Sequence, residues 1–386
     1  MSRTKRDVES SFMVILGVLL VLAIVRAFGD CVWEDARVYL RAGSRFLEGV
    51  AMYRASDGTM PFKYAPQVAL VFAPYSLLPL AAGCIAWNLT NLLVFASAGR
   101  AWIEWLGIER PADLWLATLS LGTAFYLELH FGQSDLLLFA LATGSLAAAL
   151  SGRPLRAGLF FTLMVLFKPP MLVMVVPLVL YGKRRHLIAL AGVTALVAMT
   201  LGVVLRYGVA GALEQFAQWR DVLAATSPPW VLFYNSQSLV AVIIEVFRFP
   251  TPTTMADTVV PQLIAIAVVA PVLVRLRASR FKLVAGCLLA SALLSPLAWR
   301  ANFVLAWPAL LALWAGRRTG VTVVLGAALA AQIILADGVL PLEATRAVLM
   351  WRPFGWFGAA ALMLLALPQV PRLPELAADS QPMNGR

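Results

Sequence analysis

The chain has 386 residues, of which 61% are hydrophobic and 13% are charged. These few polar side chains cannot cover the surface of a water-soluble protein of this length, so the composition indicates an integral membrane protein. The net charge of +11 comes from short basic clusters between apolar runs, where the positive-inside rule places them, and does not indicate a nucleic-acid partner. The three cysteines are scattered without CxxC spacing, which argues against a disulfide framework or a zinc site.

Apolar runs long enough to cross or enter a membrane recur along nearly the whole chain. They predict an all-α, polytopic integral membrane protein with about eleven to thirteen transmembrane or half-membrane helices. Residues 1–368 are expected to form one domain, followed by a disordered cytoplasmic tail at 369–386. In chain order the expected segments are 12–28, 64–78, 80–99, 112–128, 133–150, 155–181, 187–206, 258–275, 281–297, 301–316, 319–336 and 353–367.

Prolines interrupt two of these regions, and both are expected to be broken. Residues 64–99 contain Pro74 and Pro79, and residues 155–181 contain Lys-Pro-Pro. Half-helices broken by proline are tolerated at membrane depth where they line a cavity. With the basic N-terminal tail inside the cell, the loops at 29–63 and 207–257 are expected on the outer face.

The first outer loop contains an amphipathic helix at 35–48. We expect it to lie along the outer membrane surface with its apolar side down. Its guanidinium groups would then face lipid phosphates or serve only as anchors. Asp35 begins this helix, either as an N-cap or as a functional carboxylate. The polar arc of the helix consists of Arg37, Arg41, Ser44, Arg45 and Glu48.

Lys168 is the most informative single position, because it interrupts the apolar run FFTLMVLFKPPMLVMVV. A lysine there is costly unless it faces a cavity or an anion, or reaches the membrane surface. The helix must end at this point, since a proline disfavours the α conformation of the residue before it. His130, Gln133 and Asp135 lie between two spans on the same expected face, where His130 is a structural or a pocket residue and Asp135 a cap or a pocket residue.

Five motifs in chain order resemble those of glycosyltransferase family 87. The first runs from EDARVYLRAGSRFLEGVAMY to FKYAPQVALVFAPYSLLPL, and it is followed by Gly132-Gln133, Lys168-Pro169, NSQSL at 235–239 and LLSPLAWRANF at 293–303. Within the first motif the matching positions are Asp35, Tyr39, Gly49, Tyr53, Tyr64, Pro66, Pro74 and Pro79.

This resemblance implies a GT-C fold and a hexosyltransferase at the outer face of the cell (inner) membrane. Such an enzyme takes a sugar from a polyprenyl-phosphate donor and passes it to a hydroxyl of a glycan or glycolipid acceptor. Mannose is the first expectation for the sugar and arabinofuranose the second. An Asp in the first outer loop serves as the base, which makes Asp35 the candidate. The expected substrate pocket consists of Tyr39, Tyr64, His130, Gln133, Asp135, Gln237 and Trp299.

The chemistry of this transfer requires a base and fixed cations. An acceptor hydroxyl is a poor nucleophile at neutral pH, so a carboxylate must take its proton as the bond between C1 and the phosphate oxygen breaks. Cations near the phosphate stabilise the charge that the leaving group gains. The candidates are Lys168 and Arg300, with Arg41 and Arg45 behind them.

The chain departs from the family pattern after the Ser-Pro motif. Many members carry a serine at the position of Ala298 and histidines near Ala301 and Asn302. Arg300 can substitute as a phosphate ligand, because its charge is permanent and its geometry bidentate. No cofactor is expected to be required, although Asp30, Glu34 and Asp35 could hold a divalent ion.

Two other classes of function stay open from the sequence. A transporter or flippase for lipid-linked glycans also needs cavities, basic groups and broken helices. The polar residues are, however, crowded into outer loops and no inverted repeat is visible, which favours the enzyme. A non-catalytic scaffold predicts that Asp35 can be lost without effect.

Overall fold

A computed structural model describes residues 3–25, 34–54, 57–58, 60–316, 326 and 340–367. Regular secondary structure in these ranges is helical, which confirms the all-α class. The helices are α1 (Arg3–Val25), α2 (Glu34–Glu48), α3 (Ala69–Ser76), α4 (Leu80–Trp105), α5 (Pro111–Leu119), α6 (Gly122–Phe131), α7 (Asp135–Leu150), α8 (Pro154–Phe167), α9 (Val175–Tyr181), α10 (Arg185–Thr226), α11 (Pro228–Val231), α12 (Leu239–Val246), α13 (Val259–Leu276), α14 (Arg280–Leu294), α15 (Trp307–Gly316), α16 (Leu342–Leu349) and α17 (Pro353–Leu365). Four 3₁₀ helices lie at Pro66–Val68, Pro169–Met174, Met255–Thr258 and Arg300–Ala306.

Several of these helices are long and apolar enough to cross a membrane. Among the described residues there are four, namely α1, α4, α10 and α13 with its preceding 3₁₀ turn. Two bent pairs bring the number to six if each is one span: α6 with α7, at 107°, and α16 with α17, at 42°. The chain is therefore a multi-pass membrane protein. The expected segment at 319–336 lies outside the described residues except for residue 326, and so does the tail at 369–386.

Prolines fix where helices begin and end. Pro111, Pro154 and Pro353 stand in the first turns of α5, α8 and α17, where a missing N–H costs nothing. Pro169 ends α8 at Phe167 and begins the 3₁₀ turn Pro169–Met174. The predicted break at Lys-Pro-Pro is confirmed.

Helix α2 differs from its expected surroundings. Its buried face, which includes Val38, Leu40 and Phe46, packs against α3 and α4. The contact with α3 is so close that a Cβ atom at Gly43 would lie 2.8 Å from the carbonyl carbon of Phe72. The prediction that this apolar face lies on lipid is wrong, because other helices of the protein cover it.

Two expected boundaries also differ. The loop predicted at 207–257 is largely helical, because α10 continues to Thr226 through a kink at Gly208, whose φ and ψ are 72° and 171°. The positive φ is a conformation that glycine adopts without strain. The single segment predicted at 112–128 is divided into α5 and α6 at Ser120 and Leu121.

An aromatic cluster underneath α2 connects it to the membrane helices. The ring of Phe72 stacks on Tyr39 at 4.7 Å between centroids, and it contacts Trp87 edge-on at 4.9 Å and Phe167 at 5.7 Å. Aromatic pairs at these separations add stabilisation beyond their buried area. The start of α2 is thereby held close to the end of α8, where Lys168 follows.

Candidate active site

A cavity of about 970 Å³ lies between α2, the break after α8, the second half of α10 and the segment before the last 3₁₀ turn. The polar end of the cavity is lined by Asp35, Lys63, Lys168 and Gln133, whereas most of its wall is apolar. Its lining includes Asp35, Tyr39, Lys63, Tyr64, Gln133, Leu166, Phe167, Lys168, Pro169, Pro170, Trp219, Arg220, Leu223, Trp230, Met255, Gln262, Pro296, Leu297, Trp299 and Asn302.

Asp35 stands in the first turn of α2 and faces the cavity. Its Oδ2 accepts a hydrogen bond from Nε2 of Gln133. Burial raises the pKa of Asp35 to about 7, although the positive charge of Lys168 acts to lower it. A carboxylate whose pKa lies near neutral pH is well matched to taking a proton from a hydroxyl.

The Gly132-Gln133 pair brings α2 against the junction of α6 and α7. Gly132 ends α6 with a φ of 67°, and a Cβ atom there would lie 2.6 Å from the Cβ of Ala36. Glycine is needed for both reasons. The carbonyl of Gly132 accepts from Nε1 of Trp87 at 2.9 Å, and that of Gln133 accepts from Nδ2 of Asn91 at 3.1 Å. These two hydrogen bonds fix the turn that places the Gln133 side chain against Asp35.

Tyr39 and Tyr64 form a hydrogen-bonded pair at the polar end. Their hydroxyl oxygens lie 3.0 Å apart, and the Tyr64 hydroxyl also lies 2.9 Å from Oγ of Ser134. The Tyr39 hydroxyl donates to Oε1 of Gln133 at 3.4 Å. Burial raises the pKa of both tyrosines above its ordinary value, which keeps them neutral and available as hydrogen-bond donors.

Lys168 reaches the cavity from the break after α8. Its Nζ donates to both carboxylate oxygens of Asp135, at 2.8 Å each. Asp135 is fully buried and also accepts from Nδ2 of Asn302 at 2.7 Å. An ammonium has three N–H donors, so one is left for a ligand in the cavity. The backbone N–H of Trp299, in turn, donates to Oδ1 of Asn302 at 2.7 Å.

Lys63 is a second cavity cation that the sequence reasoning missed. Its Nζ lies 5.6 Å from the centre of the Trp230 ring and 3.5 Å from the carbonyl oxygen of Thr226. Burial lowers the pKa of Lys63 to about 8, although Asp35 acts to raise it. In the sequence, Lys63 could have been recognised as a site residue by its position directly before the motif residue Tyr64 in an otherwise apolar stretch, FKYAP.

Asp135 and three further residues expected at the substrate lie outside the cavity lining. Arg300 is buried, and its Nε donates to Oδ1 of Asn235 at 2.8 Å. Gln237 is fully buried and donates to two backbone carbonyl oxygens, at 2.8 and 3.0 Å. His130 stacks on the ring of Tyr126 at 5.5 Å between centroids. Each of these side chains contacts protein groups that hold it in place.

Arg41 and Arg45 also turn away from the cavity, because both contact Asp57. Arg45 makes a bidentate pair with its carboxylate, at 2.6 and 2.8 Å, and Nε of Arg41 lies 3.5 Å from it. Burial acts to raise the pKa of Asp57, but the hydrogen bond from Arg45 and the two positive charges together hold the pKa below its usual value. These arginines fold the loop after α2 back onto the helix.

A protein site for a metal ion requires several donor side chains that lie close together. Within the described ranges there is no group of three His, Cys, Asp or Glu side chains that could hold an ion. Asp30, one of the three acidic residues that could hold a divalent ion, lies outside those ranges.

A search of curated proteins gave no match. Among solved structures, the chain is similar to ArnT from Cupriavidus metallidurans bound to undecaprenyl phosphate, with 16% identity, a TM-score of 0.45, and coverage of 92% of this chain and 76% of that one. The sequence model of glycosyltransferase family 87 matches residues 62–298. Because that match spans more than half of its length, this chain belongs to glycosyltransferase family 87.

Proposed function

We propose that this family member transfers mannose from a polyprenyl-phosphate donor to a hydroxyl of a glycan or glycolipid acceptor, at the outer face of the cell membrane. The observation that carries the proposal is the meeting of one carboxylate, Asp35, with two cations, Lys63 and Lys168, at the polar end of a largely apolar cavity. Family membership supports sugar transfer, and the cavity supports a lipid-linked donor.

The proposed reaction uses Asp35 as general base. The acceptor oxygen bonds to C1 of the sugar, while the bond between C1 and the phosphate oxygen breaks and its electrons go to the phosphate. The acceptor proton passes to Asp35. The pKa of about 7 supports this role, because the carboxyl is substantially ionised at neutral pH and is still basic enough to hold the proton.

The leaving phosphate gains negative charge as the bond breaks. Lys168 and Lys63 both line the cavity, and their charges favour this anion where solvent is scarce. Asp135 holds Lys168 in place through two hydrogen bonds, so the ammonium needs little rearrangement when the donor binds. Because Lys63 also lines the cavity, we assign it to the donor phosphate together with Lys168.

The apolar wall suits the lipid part of the donor. Leu166, Pro170, Leu223, Met255 and Leu297 are among the apolar residues that line the cavity. A polyprenyl chain gains free energy when apolar side chains replace its water shell. These residues support a donor whose phosphate meets the lysines while its chain runs along the apolar wall.

Transfer without a metal ion is also part of the proposal. The cations that face the leaving group are lysine side chains, which supply the charge that a divalent ion supplies elsewhere. Full activity after dialysis against a chelator supports this point, whereas a loss that added Mg²⁺ or Mn²⁺ restores would contradict it.

The test uses purified protein in lipid vesicles with polyprenyl-phosphate sugars that are radiolabelled in the sugar. Mannose and arabinofuranose donors are supplied one at a time with a lipid extract as the source of acceptor. Label from the mannose donor should appear in an acceptor product. Label only from the arabinofuranose donor would overturn the choice of sugar. Intact labelled donor that crosses the bilayer without reaction would indicate a transporter instead.

A further inference from the structure

Gln133 contacts Asp35 directly, and its amide N–H donates to the Asp35 carboxylate. We infer that Gln133 is a positioning residue, which holds the Asp35 carboxylate toward the cavity and favours its ionised form. The inference rests on the proposed role of Asp35 as the base.

The amide group of Gln133 is held at both ends. Its Nε2 donates to Oδ2 of Asp35, and its Oε1 accepts from the hydroxyl of Tyr39 at 3.4 Å. A reversed amide would place its oxygen against the ionised carboxylate of Asp35, so that two acceptors would face each other. The Tyr39 hydroxyl lies 3.0 Å from that of Tyr64. The donor end of the glutamine is therefore aimed at the carboxylate.

The backbone that carries Gln133 is equally constrained. Gln133 is only 6% exposed, and its backbone N–H donates to the carbonyl of Glu128 at 2.9 Å. Its carbonyl accepts from Asn91, which also accepts from the backbone N–H of Leu137 at 3.1 Å. A hydrogen bond to the charged form of a carboxyl group lowers its pKa, so a rigid donor here opposes the effect of burial.

Four charged side chains also act on the ionisation of Asp35. Lys168, after α8, and Lys63, before the first 3₁₀ turn, favour the ionised form. Glu34, on the same helix, and Asp135, at the start of α7, disfavour it. None of these four is altered when Gln133 is replaced, so a change in the titration of Asp35 reports on the glutamine.

The experiment measures the titration of Asp35 by infrared difference spectroscopy on the full chain in lipid vesicles. The band of the protonated carboxyl is assigned by its loss in Asp35→Asn. Gln133→Met keeps the length of the side chain and removes the donor, so the midpoint should rise by about 1 to 2 pH units. Gln67→Met is the matched control, because Gln67 is equally buried and its amide donates to Thr200. That variant should titrate like wild type.

Transfer assays give a second readout. In Gln133→Met the acidic limb of the pH profile should move upward by the same amount, with a lower kcat at pH 7, partial recovery at higher pH and little change in the donor KM. In the Asp35→Asn background, Gln133→Met should cause no further loss. Tyr39→Phe, which removes the hydroxyl that orients the amide, should give a smaller shift in the same direction.

The positioning role would be overturned if the midpoint of the Asp35 titration were unchanged in Gln133→Met. It would also be overturned if Gln133→Met lowered sugar transfer as much in the Asp35→Asn background as it does in wild type. The infrared titration needs no substrate. A wild-type protein that transfers no sugar from any donor would therefore count against the proposed function alone, while the midpoint still decides the role of Gln133.

Discussion

Lys168 and Asp135 form an ion pair in which Nζ lies 2.8 Å from each carboxylate oxygen, and they belong to different parts of the fold. Asp135 begins α7 and is completely buried, whereas the Lys168 side chain is 21% exposed and lines the cavity. The carboxylate fixes the ammonium at the helix break. A lysine inside an apolar segment is thereby stabilised without losing its access to an anion.

Lys168→Gln should weaken use of the donor by about 10- to 100-fold in kcat/KM. About one charge-assisted hydrogen bond, roughly 1.5 to 3 kcal/mol, is removed from an anion in a poorly solvated place. Lys63→Gln should have the same direction of effect, and the double variant should be non-additive because both cations act on one phosphate. Kinetics at varied donor and fixed acceptor concentration measure this. A loss confined to acceptor affinity would place the phosphate elsewhere.

Asp35→Asn should lower sugar transfer by about 10² to 10⁴-fold, because it removes the base with almost no change in shape. Thermal unfolding in lipid should stay close to that of wild type, since the asparagine can still accept from Gln133. Single-turnover transfer with labelled donor measures the chemical step. Activity within a few-fold of wild type would exclude Asp35 as the base.

The rate of transfer should follow a bell-shaped pH profile. The base must be ionised, so activity falls as the pH drops through about 7, the pKa of Asp35. Lys63 must be charged, so activity also falls as the pH rises through about 8. The optimum should therefore lie between these values, and Lys63→Gln should remove most of the alkaline limb. A flat profile between pH 6 and 9 would be inconsistent with both assignments.

Gly132→Ala should damage both stability and transfer. The left-handed backbone alone costs a residue with a side chain about 1 to 2 kcal/mol, and the new methyl group would collide with Ala36. Gly122→Ala is the control on the same helix, where a Cβ atom meets nothing within 4 Å. Thermal unfolding and kcat measure the two effects. Equal behaviour of the two variants would show that α2 can move away without consequence.

The side of the membrane that the cavity faces can be measured by cysteine labelling. In a Cys31→Ser background, Asp221→Cys should react with an impermeant maleimide added outside the cell, because Asp221 is 66% exposed and follows the cavity residue Arg220. Arg185→Cys, at the basic start of α10, should react only after the membrane is permeabilised. The reverse pattern would place the active site inside.

Much of the helical pattern was predictable from the sequence. The apolar segments at 80–99, 133–150 and 258–275 correspond to α4, α7 and α13, because long apolar runs have few alternatives in a membrane. The second half of α10 was missed since its residues are too polar for a hydropathy criterion. Its Ala, Leu, Glu and Gln content is nevertheless typical of a helix.

The candidate site was predictable only in part. Asp35, Lys168 and Gln133 were chosen from motifs and do line one cavity. The sequence could not show that Asp57 occupies Arg41 and Arg45, because ion pairs across loops depend on tertiary packing. Nor could it show which side of the 3₁₀ turn Arg300–Ala306 faces the cavity. Asn302 lies on that side, and Arg300 does not.

Helix α10 is hydrogen-bonded to the region around the cavity on both sides of its kink. Nε of Arg206 donates to the carbonyl of Phe46 at 2.8 Å, which ties the end of α2 to α10 just before the kink at Gly208. Trp219 lines the cavity beyond the kink. Nε1 of Trp219 also donates to the carbonyl oxygen of Lys63 at 2.9 Å, so one helix contacts both α2 and the segment that carries Lys63 and thereby sets the distance between the proposed base and a cavity cation.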